Sequence, residues 1–273
     1  MTLGRSRTLA SRLLLAAVAV LAAACASAAR SPSPDSAACR WPVAPVVMQQ
    51  AGDTLIQSWT FEAGQMPERV DPAELPALSA FLDTVRTRVG TLDARAQLRR
   101  QIAYYASRAD SDSRGEAANG RMVLADSAGT LRPINCLEAL LVDFQAARFP
   151  MASHPTEFHA VVMEKNGADR RMVRVYFAAS SAPWPPKANL LFERAAAARR
   201  EGWRAVAHLH NHPFEFAGSG DIAGANAPSM TDVQFWRYLR ESLGIESARV
   251  TNGFATFEAR AAAFGRLRAR GDR

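Results

Sequence analysis

The chain has almost no lysine: Lys165 and Lys187 are the only two, so nearly all of its 33 basic residues are arginines. Those arginines lie scattered among alanines along apparent helices, with no dense basic block interleaved with aromatics. The net charge of +7 therefore lacks the clustered stripe that a nucleic-acid face requires, and no nucleic-acid partner is expected. Cysteine is scarce too, with three in 273 residues, and the cysteine pair of a zinc deaminase is missing. Beyond the first thirty residues no apolar run is long enough for a transmembrane helix, and there are no internal repeats. What the chain does have is apolar content. At 48% hydrophobic it can bury a substantial core, which argues against global disorder.

The first residues read as a targeting segment. Arg5, Arg7 and Arg12 precede an apolar run from Leu13 to Ala24, too short to span a bilayer comfortably. The run ends in Leu21-Ala22-Ala23-Ala24-Cys25, which resembles a bacterial lipobox with leucine displaced by one position. Export to the bacterial cell envelope is expected, with lipidation at Cys25 as the membrane anchor and ordinary cleavage near Ala26-Ser27-Ala28 as the alternative. Cys39 and Cys136 then remain as an even pair in an oxidising compartment; a disulfide between them is expected, with two free thiols as the alternative.

Periodicity divides the rest. Residues 1–28 are read as the signal peptide and 29–70 as a tether and N-terminal segment. Residues 71–119 are a helical extension, on the three-and-four spacing of Leu78, Leu82, Val85, Val89 and Leu92, with Asp110 to Asn119 as a polar loop. Met122 to Leu131 suggests a hairpin, and Leu137 to Phe144 is a short apolar run. Phe158 to Met163 and Met172 to Phe177 predict strands about an Asn166-Gly167 turn. A helix over Ala188 to Arg200, a strand over Arg204 to His210, a helix over Asp232 to Leu243 and final strands around Asn252-Gly253 complete an α/β or α+β domain over 120–273.

The richest chemistry lies in Ala207-His208-Leu209-His210-Asn211-His212-Pro213, which holds three of the five histidines at alternate positions. Side chains at i and i+2 of a strand share a face about 7 Å apart, close enough for two imidazoles to grip one ion. His208 stands about 13 Å from His212 along an extended strand and is read as a packing residue. His154 and His159 are read as structural or surface residues. Ser229-Met230-Thr231-Asp232 has the form of a helix cap, and a helix start can hold a carboxylate ligand rigidly.

Together, His210-x-His212-Pro213 and Ser229-x-x-Asp232 resemble the JAMM motif of JAB1/MPN/Mov34 metalloenzymes, over roughly Leu131 to Phe257. The resemblance implies a mixed β-sheet flanked by helices in a cytidine-deaminase-like JAB/MPN architecture. It implies one zinc ion on His210, His212 and Asp232, with Ser229 steadying the oxyanion and an upstream glutamate as general base. Glu138 holds the matching place in the order of elements, although leucine replaces the usual glycine; Glu157 and Glu164 compete with it. The implied reaction is hydrolysis of peptide or isopeptide bonds in a peptide or protein substrate. A non-catalytic scaffold of the same fold is the alternative. The connection from Phe214 to Pro228 is long for the family and reads as a lid or as filler.

Overall fold

In the computed structural model the described residues are 38–182, 187–214 and 224–272. The targeting segment with Cys25, Trp184, and residues 215–223 with Asp221 lie outside them. No helix among the described residues is long and apolar enough to cross a membrane.

Eight strands form one mixed sheet: β1 Val46–Ala51, β2 Thr54–Glu62, β3 Thr130–Pro133, β4 Phe158–Asn166, β5 Arg171–Ala179, β6 Arg204–Asn211, β7 Ser247–Thr251 and β8 Ala255–Arg260. Their order is β1-β2-β5-β4-β6-β7-β8-β3. Among the described strands only β6 and β7 pair in parallel, and helix α6, Met230–Leu243, lies in the connection between them. The other α-helices are α1 Pro76–Val89, α2 Ala94–Ala106, α3 Ser111–Leu124, α4 Cys136–Arg148 and α5 Asn189–Arg200.

Alternation along the strands sends successive side chains to opposite faces. Val161, Met163, Ala178, Val250 and Phe257 pack on one side with Leu98 of α2, Val123 of α3, Leu191 of α5 and Trp236 of α6. Ala160, Val162, Val175, Phe177 and Leu209 pack on the other with Leu78 and Leu82 of α1 and Leu141 and Val142 of α4. The result is a helix–sheet–helix layering with the sheet buried on both faces.

Several expectations are corrected. Residues 46–62, read as part of a tether, form the β1–β2 hairpin, and β2 pairs with β5 along its length. The helical extension packs on the same sheet, and Ala38 onward is one packing unit, so the boundary expected at 120 separates nothing. The polar stretch 110–119 is not a loop but most of α3, capped by Asp110 accepting from Ser113 N–H at 2.8 Å. Its buried face is Ser113, Ala117, Asn119 and Gly120, with Val123 near its end, so no stripe of large apolar side chains marks it. Met122 to Leu124 ends that helix instead of opening a hairpin, and Thr130–Pro133 pairs with β8. Leu137 to Phe144 belongs to α4. The β4–β5 hairpin, α5, β6, α6 and the β7–β8 pair stand where the periodicity predicts them.

Candidate metal centre

His210 lies at the end of β6, and His212 just beyond it, where its N–H donates to Thr251 O at 2.9 Å. On one side His210 is paired with His159 of β4 and on the other with Val250 of β7. Asp232 arrives from α6, at the third residue of the helix. A capping box sets it there: Ser229 Oγ accepts from Asp232 N–H at 3.0 Å, and Ser229 N–H donates to Asp232 Oδ2 at 2.8 Å.

These elements converge on a tight triangle. His210 Nε2 lies 3.3 Å from His212 Nε2 and 3.3 Å from Asp232 Oδ1, and His212 Nε2 lies 3.2 Å from Asp232 Oδ2. Tetrahedral bonds of about 2.0–2.1 Å to one ion put ligand atoms roughly 3.3–3.4 Å apart, and each of these contacts matches that spacing, with the two Asp232 contacts made by different carboxylate oxygens. The three residues can hold a metal ion. His212 is oriented for the task, because its Nδ1–H donates to Ala225 O at 2.9 Å and leaves Nε2 free to ligate. His210 is buried and held by ring packing, its centroid 5.6 Å from His159, 5.4 Å from His208 and 6.3 Å from Trp236.

The charges fit a cation-binding cluster. Burial alone would depress the His212 imidazole, but the bond and charge of Asp232 outweigh it and push it up to about 9. Burial would raise the Asp232 carboxyl, yet the two facing imidazoles hold it well below the ordinary carboxylate range. His208 and His159 are both buried, which drives each well below the ordinary imidazole value and keeps it neutral. His159 Nδ1 and His208 Nε2 stand 3.3 Å apart in a stacked pair behind the ligands. His208 is thus the packing residue expected of it, and His159 is deep in the core beside it. His154 is exposed, and its Nε2 meets Ser181 O at 2.9 Å.

Glu138 does not reach this cluster. It is fully buried in the first turn of α4, in a capping box with Asn135. Its carboxylate accepts from Arg132 Nη1 at 2.8 Å, Thr256 Oγ1 at 2.8 Å and Asn135 N–H at 3.0 Å, with Arg249 Nη1 at 3.6 Å. Arg249 pairs with Leu209 in register, whereas Val250 pairs with His210. Glu138 is therefore served from the face opposite the ligand histidine, and the sheet stands between them. An acid in an apolar run must be paired or put to use; this one is paired.

Glu157 is on the ligand side. It precedes His159 by two residues at the mouth of β4, and its field is coupled to His212, His210 and Asp232. Burial raises its carboxyl above the ordinary 4.5, and the two histidines pull it back only in part. Asn211, between the ligand histidines, fixes the backbone on either side of it: Oδ1 accepts from Phe158 N–H at 2.7 Å and Nδ2 donates to Thr156 O at 2.9 Å. Glu164, the other competitor, sits at the far end of β4, within 3.4 Å of Arg171 and 3.5 Å of Arg204. Ser229 Oγ is engaged as an acceptor by the cap, and its hydroxyl hydrogen remains a donor.

One neighbour was invisible to motif reasoning. Glu116 of α3, half-buried and raised chiefly by burial, is coupled to Asp232 and His212. Nothing in local sequence links it to them. Comparison with protein-family models, curated proteins and solved structures returns no match, so the site's meaning rests on its own geometry.

Proposed function

We propose that this protein is a zinc-dependent hydrolase of peptide or isopeptide bonds, built on the JAB/MPN plan that its motifs resemble. The carrying observation is the His210–His212–Asp232 triangle with 3.2–3.3 Å edges, coupled to the half-buried Glu157 on the same side of the sheet. Two imidazoles and one carboxylate suit zinc in a site that keeps a position open. A zinc ion held there would acidify water and polarise a carbonyl oxygen.

The chain's own residues supply the proton traffic. Glu157 takes a proton from the attacking water and returns it to the departing amine as the C–N bond breaks. Its raised carboxyl suits the exchange, since a shift towards the working pH makes the carboxylate a stronger base while leaving the protonated form acidic enough to return the proton to an amine. The Ser229 hydroxyl donates to the carbonyl oxygen as charge builds on it. The Cys39–Cys136 disulfide supports the exported setting read from the N-terminus, with Cys25 as the lipid anchor and envelope peptides or proteins as the substrate class.

The test pairs two substitutions. Purified protein should carry about one zinc per chain. Glu157→Gln should keep that metal and lose hydrolysis of a peptide and isopeptide panel by roughly 10²- to 10⁴-fold, the usual weight of a general base. Glu138→Gln should lower stability while the surviving folded protein retains turnover. Full activity in Glu157→Gln, or metal-free wild-type protein, would sink the proposal.

A further inference from the structure

Asp232 is held differently from the two histidines. His210 lies in a strand with paired neighbours on both sides, whereas Asp232 rides on the first turn of a helix. Such an end is only as fixed as the partners of its unsatisfied amides. The capping box closes the Ser229 and Asp232 amides from within. Of the two amides between them, Met230 N–H is taken from outside: it donates to Glu116 Oε1 at 3.0 Å, from helix α3.

The surrounding contacts make that bond a clamp. The next residue back, Gly115, lets the Met230 side chain lie against α3, because a Cβ there would come 2.0 Å from Met230 Sδ and force the thioether to move. One turn further along α3, Asn119 Nδ2 donates to Pro228 O at 3.3 Å. Gly115, Glu116 and Asn119 thus grip residues 228–230 from one side of α3. The carboxylate itself is the informative choice. Asp232 repels Glu116 and helps to raise its pKa, a cost that a neutral acceptor would avoid. A carboxylate accepts more strongly than an amide and is favoured at a helix N-terminus.

We infer that Glu116 is a positioning residue of the metal centre: through the Met230 amide it fixes the start of α6 and so the placement of the Asp232 carboxylate. This rests on the reading of His210, His212 and Asp232 as metal ligands. It also gives α3, which lies outside the stretch that carries the motif, a part in the site.

The experiment measures Co²⁺ and Zn²⁺ dissociation constants by chelator competition, with the visible absorption spectrum of the Co²⁺ form. Glu116→Ala should weaken binding about 10- to 100-fold, the range for outer partners of metal ligands, and alter the Co²⁺ spectrum. Glu116→Gln, which keeps an acceptor for Met230 N–H, should restore most of the affinity and the wild-type spectrum. Glu116→Asp, with its shorter reach, should fall between and serves in place of the alanine variant if that fails to fold. Wild-type affinity and spectrum in the alanine or aspartate variant would overturn the inference alone. Wild-type protein that binds neither ion would overturn the metal centre and the inference with it.

Discussion

Two glutamates show how much the meaning of a carboxylate depends on which face of a sheet it meets. Glu138 stands in an apolar run and Glu157 just before an apolar strand, and both are desolvated, but Glu138 is held by Arg132, Thr256 and Arg249 while Glu157 answers to His210 and His212. Order of elements favoured the first, because the motif's spacing carries no record of facing. The residues of the candidate metal group were legible, since i and i+2 on one strand and a capped helix start are local patterns. The proposed base was not, because its coupling to those residues is made across strands. Glu258, in the Glu138 network, gives this scale its prediction. Burial would raise its carboxyl, but Arg249 and Arg132 outweigh that and hold it below the ordinary 4.5. A depressed carboxylate adds stability that is complete above its unfolded value and is lost as pH falls through the folded one. Urea unfolding of wild-type protein should therefore weaken more between about pH 6 and about pH 3 than that of Glu258→Gln. Equal losses would remove the ion network from the account of acid stability.

At the level of elements, helix α6 was readable and helices α3 and α4 were not, for definite reasons. In α6, Ser229 marks the start, Gly244 in the left-handed region marks the end, and Val233, Trp236 and Leu239 form a buried stripe. Helix α3 buries serine, alanine, asparagine and glycine with Val123 alone as a large apolar residue, so its amphipathicity is more one of size than of hydropathy. Helix α4 is apolar around much of its circumference, and periodicity cannot separate such a run from a buried strand. Its Asn135-x-x-Glu138 capping box was the signal that could have settled the matter. The capping box of α6 supports both fold and site. Ser229→Ala should cost about 1 kcal/mol of stability in thermal or urea unfolding of metal-free protein. The same change should lower turnover by more than that loss explains, since the hydroxyl donor goes with it. Unchanged turnover in the folded fraction would confine Ser229 to capping.

Across the whole molecule, the strands and helices before residue 130 complete both faces of the sheet, and the Cys39–Cys136 disulfide closes a 97-residue separation between the first described residues and the start of α4. Closing so long a loop restricts the unfolded chain more than the folded one. Replacing both cysteines by serine should cost roughly 2–4 kcal/mol, read as a lower denaturant midpoint with no change in metal content. An unaltered midpoint would show that packing alone holds the N-terminal segment. The β1–β2 hairpin escaped sequence reading because its pairing with β5 is long-range, and the exposed Val46 and Val47 in β1 resemble neither core nor tether.

The eight-stranded sheet divides two kinds of work. One side carries His210, the neutral histidines behind it and the helix that brings Asp232; the other carries the disulfide, Glu138 and its arginines. Damage to either side then has its own signature. On the proposed function, reductant would erode tolerance to heat while each surviving molecule keeps its turnover, and a chelator would stop turnover well before the molecule unfolds. On that reading, a population losing activity in step with its folded fraction is failing on the disulfide side, and one that is folded but idle is failing at the proposed metal centre.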